Sequence, residues 1–67
     1  MFHRRRILRE ELERYKRSFR RDVQVMQAAL RNPPKDTSVA ELELVQRRVV
    51  EIQAALVRID AALATLV

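Results

Sequence analysis

From Leu42 onward, apolar side chains recur at alternating three- and four-residue steps: Leu42, Val45, Val49, Ile52, Leu56, Ile59, Leu63 and Leu66. Such stepping holds one stripe on one face of a helix, the a/d pattern of a coiled-coil-like seam, so this half of the chain reads as a helix packed lengthwise on another. Val50, Ala54, Val57, Ala61 and Ala64 repeat the stepping, displaced by ~150° around the helix at about 100° per residue. A hairpin needs one seam per helix. The second stripe implies a second partner.

Both prolines sit together mid-chain, at Pro33 and Pro34, and glycine is absent. Proline cannot continue a helix and pushes the residue before it out of helical backbone, so a first helix should stop near Leu30 or Arg31. Beyond Lys35-Asp36-Thr37, the spacing of Ser38 and Glu41 is that of a capping box, the serine hydroxyl taking the third amide and the glutamate reaching back. The expected layout is one unit over residues 1–67. Helix one runs from about 3 to 31, the turn over 32–37, and helix two from about 38 to 66.

In helix one, Leu8, Leu12, Tyr15, Phe19, Val23, Met26 and Leu30 share a face and repeat at eleven residues. That period suits a straight or slightly right-handed helix and differs from the seam of helix two. Tyr15 and Phe19 are expected in the core, because burying a large aromatic contributes more than leaving it wet. Asp22 marks the solvent edge. Arms of similar length joined by a short loop fold back on each other. The fold class is therefore all-α, an antiparallel two-helix hairpin completed by oligomerisation or a partner helix. Pairing of this kind sets Arg4, Arg5, Arg6 and Arg9 beside Leu63, Leu66 and Val67, at an end with poor capping that either frays or meets a partner.

Sixty-seven residues are too few to build a strong core unaided, and without cysteine neither disulfides nor thiolate metal sites add stability. Association should supply the rest. Catalytic material is scarce. His3 is the one histidine, with no cysteine, carboxylate cluster or second histidine at metal-ligand spacing, and Ser18, Ser38 and Thr65 have no base nearby in sequence. The reading is a non-enzyme with no catalytic residue, metal or cofactor. The opening Met-Phe-His-Arg-Arg-Arg runs into Glu10, Glu11 and Glu13 with no apolar secretory stretch. The least charged segment, from Ile52, is interrupted by Arg58 and Asp60 and is too short to span a bilayer. A cytoplasmic location without a membrane span is expected.

The formal charge of +5 is concentrated in helix one, where residues 1–31 hold ten Lys/Arg against four Asp/Glu. Glu10–Arg14 and Glu13–Arg17 stand four apart and should partly neutralise each other on a solvated face. Arg4, Arg5, Arg6, Arg9, Arg17, Arg20 and Arg21 remain as a basic surface that a polyanion could meet.

The stretch from Leu42 to Ile59, following a proline-containing turn, resembles the second helix of the small E-type co-chaperones of type III secretion needle subunits. The resemblance covers about a third of the chain and rests on apolar spacing plus Gln46. It implies a helical hairpin that packs on a repeat-type chaperone and keeps an aggregation-prone subunit soluble before export. In architecture and basic charge, the chain also looks like small RNA-binding four-helix dimers that regulate plasmid copy number. Two function classes are thus expected. The first is a helix-binding interaction protein, acting as co-chaperone, adaptor or structural subunit through Val50, Ala54, Val57, Ala61 and Ala64. The alternative is a basic RNA/DNA-binding hairpin dimer.

Overall fold

The computed structural model describes residues 2–66, with side chains from residue 4. It is an all-α hairpin of two helices, α1 (Phe2–Arg31) and α2 (Val39–Thr65), packed on each other. The antiparallel sense follows from which residues meet. Val23 packs with Val49 and Ile52, and Lys16, nearer the open end, reaches Asp60 with 2.6 Å between Nζ and Oδ1.

The turn works without glycine. Asn32 N–H still donates to Ala28 C=O, at 3.0 Å, and the prolines then end α1. Pro34 C=O accepts from both Thr37 N–H, at 3.2 Å, and Thr37 Oγ1, at 2.6 Å. Asp36, third residue of that turn, has φ 71°, the value a type II turn requires at this place. A short polar side chain tolerates left-handed backbone better than most, and so Asp36 stands where glycine is usual. Ser38 then caps α2 from extended backbone, its Oγ accepting from Glu41 N–H at 3.1 Å. The return bond from Ser38 N–H to the Glu41 carboxylate, the other half of the expected box, is not made among the described residues.

The core lies in the half of the hairpin nearer the turn. Val49 and Ile52 are 3% exposed and Val23 8%, with Phe19, Met26, Leu30 and Leu56 packed around them. Every member of the α2 seam, Leu42 to Leu66, is buried or half-buried. Among the covered positions of α1, Leu12, Lys16, Phe19, Val23, Met26 and Leu30 alternate by four and three like the α2 seam, with Glu11, Glu13, Gln27 and Ala29 half-buried beside them. The expected eleven-residue face is therefore corrected. Tyr15 is 51% exposed and Leu8 likewise half-exposed, while Lys16 takes the seam position. Two facing heptad seams stay in register along their length, and Lys16 is half-buried while its ammonium reaches the more exposed Asp60. Tyr15 sits one step aside, its ring tilted 30° against Phe19 at 6.2 Å between centroids.

The molecule is a slender rod, 52 × 15 × 13 Å, with a radius of gyration of 15.5 Å where a compact chain of this length has about 11 Å. Its accessible surface is 5812 Å², against about 4400 Å² for a compact protein of the same mass. One seam between two helices leaves most of each helix in water.

Candidate helix-docking face and basic surface

The second stripe of α2 is bare. Val50 is 56% exposed and Val57 69%, and Ala54, Ala61 and Ala64 are exposed with them. All five face away from the seam that holds α1, because the two stripes lie ~150° apart on a helix. The face is apolar and shallow, with two valines raised between smaller alanines. Glu51 and Arg58 border it along one edge, both exposed. Glu51 accepts a 3.2 Å bond from Arg48 within α2, and Arg58 forms no ion pair among the described residues.

The basic residues Arg4, Arg5, Arg6, Arg9, Arg17, Arg20 and Arg21 are all exposed. Their pairing differs from expectation. Glu10 pairs with Arg6 at 3.3 Å, Glu13 with Arg9 at 3.7 Å and Glu11 with Arg14 at 3.3 Å. The expected Glu10–Arg14 and Glu13–Arg17 pairs are absent among the described residues, because each of these glutamates has an arginine four residues away on either side and turns toward the arginine-rich start of the helix. Neutralisation is thus confined to the first half of α1. Arg17, Arg20 and Arg21 form no ion pair among the described residues.

Family models, curated proteins and solved structures were compared with the chain, and none matches. The site is therefore judged on its own chemistry. Among the described residues, no three His, Cys, Asp or Glu side chains cluster as metal ligands, and no helix is long and apolar enough to cross a membrane. The side chains of His3 and Val67 lie outside the described residues. What the described surface offers is an uncovered apolar face on α2 and a charged face on α1.

Sequence reasoning missed Lys16 and Asp60 as a joint across the hairpin. Their opposite charges and equal distance from Ser38, at the start of the second helix, were the available signal.

Proposed function

We propose that the protein is a non-enzymatic, cytoplasmic interaction protein that binds helices through the second face of α2. The supporting observation is the exposure of Val50 and Val57 in the middle of a helix. β-Branched residues gain nothing in helix propensity over alanine, so propensity does not account for them there. A contiguous apolar face on a small, surface-rich rod is chemistry suited to a partner. The resemblance of residues 42–59 to E-type co-chaperones of needle subunits agrees with a role as small co-chaperone or adaptor in an export system of type III secretion kind. A structural subunit of a larger assembly uses the same face.

A charge placed on that face tests the reading. Val57→Asp leaves the α1–α2 seam untouched, so helical content by circular dichroism should stay within experimental error of the parent. Association, with itself or with a partner helix, should weaken at least about a hundredfold, since docking would bury an unpaired carboxylate. Association unaffected by Val57→Asp would sink the reading.

A second reading has one observation behind it, that Arg17, Arg20 and Arg21 form no ion pair among the described residues. Unpaired arginines on one helix suit phosphates, and the corresponding function is RNA or DNA binding.

A further inference from the structure

From the order of residues along the uncovered face, we infer that its occupant is a second copy of this chain, docked antiparallel, α2 against α2, about a twofold axis level with Ala55 and Leu56. The dimer rests on the docking face proposed above and adds the partner and its register.

Valine and alanine alternate along the face from Val50 to Ala61, with Ala64 beyond them. In an antiparallel pair each layer joins one position type to the other, so Val50 meets Ala61 of the second copy and Ala54 meets its Val57, with both layers repeated by symmetry. Each of these layers then joins a larger side chain to a smaller one, and the helices approach closely; Ala64 lies beyond them, opposite Arg47 of the second copy. Parallel pairing stacks valine on valine and alanine on alanine, alternately crowded and empty. The bordering charges select the same arrangement. Glu51 and Arg58 lie seven residues apart on the same edge, and antiparallel pairing brings equivalent edges together. At the register that matches valine to alanine, Arg58 of each copy stands beside Glu51 of the other, giving two symmetric ion pairs.

The angle between the faces sets the shape. Seams ~150° apart on α2 place α1 and the second copy on nearly opposite sides, so the dimer is a shallow row of four helices rather than a closed square bundle. Valine–alanine contact over residues 50–61 spans ~17 Å at about 1.5 Å per residue, small for a stable interface. A dissociation constant between about 1 and 500 μM is expected.

Sedimentation equilibrium of the full chain at low ionic strength, about 20 mM, tests the dimer and its register. Arg58→Glu and Glu51→Arg each turn two attractions into two repulsions and should each weaken dimerisation about tenfold. The double variant Glu51→Arg/Arg58→Glu restores the pairing with signs exchanged, and its constant should return to within about threefold of the parent. Circular dichroism checks that all three keep the hairpin. A dimer that is lost in Val57→Asp but not rescued by the double variant overturns the register. A chain that stays monomeric up to about 1 mM overturns the self-pairing and leaves the docking face to a foreign helix. A dimer that survives Val57→Asp overturns both, because association then uses another surface.

Discussion

Asp36 holds the only positive φ among the described non-glycine residues, and it does so in a turn whose hydrogen bonds come from Thr37 to the Pro34 carbonyl. A left-handed residue with a Cβ costs about 1–2 kcal/mol, less for aspartate, whose short side chain finds local partners. Asp36→Gly relieves that cost but loosens the unfolded chain, so it should be neutral or stabilising by up to ~1 kcal/mol. Asp36→Val, β-branched at the same φ, should destabilise by ~1–2 kcal/mol. Urea denaturation followed by circular dichroism reads both as shifts of midpoint at constant slope. If valine is tolerated as well as glycine, the turn is not held in this backbone in solution.

The two helices differed in how far their packing could be read from residue order. The α2 seam was legible in full because all of its positions from Leu42 to Leu66 are apolar, leaving one phase for the stripe. In α1 one seam position is Lys16, and a reading by hydropathy steps around a lysine to the nearest aromatic, Tyr15. Only pairing against Asp60 distinguishes the two phases, and that is a tertiary contact. The turn was legible from Pro33 and Pro34 and the cap from Ser38, since both act on local backbone. The partners of Glu10 and Glu13 were not, because arginines on either side at equal spacing make the alternatives nearly equal in energy. The docking face was visible as a stripe, and what covers it was not, since a stripe encodes geometry and polarity rather than identity.

As a whole molecule, the hairpin divides its surface between an apolar face on α2 and a charged face on α1, and the proposed functions divide accordingly. Replacing Arg17, Arg20 and Arg21 together with Gln separates them. These side chains are exposed and outside any described ion pair, so the variant should keep the parent's melting temperature within a few degrees. With helix docking as the function, self-association should change by less than about tenfold, and RNA or DNA should bind no tighter than ~10 μM at physiological salt. Fluorescence anisotropy with a short labelled oligonucleotide measures this. Submicromolar binding by the parent, with a salt slope that flattens by ~2–3 in the variant, would put the nucleic-acid reading first.

The position of the core toward the turn has a consequence for amide hydrogen exchange. Around Val23, Val49 and Ile52, backbone amides are covered by packed side chains and should exchange only when the hairpin opens as a whole. In the first turns of α1, Ile7 and Leu8 are half in water and nothing described packs against them closely enough to bury them. Amides there should exchange by local opening at far less cost, so protection should peak around Val23, Val49 and Ile52 and decline toward the open end rather than stay uniform. The half around the core should then stay closed while the open end loses and regains its outer turns. A ligand that slowed exchange at the open end alone would report its footprint without altering the rest of the fold.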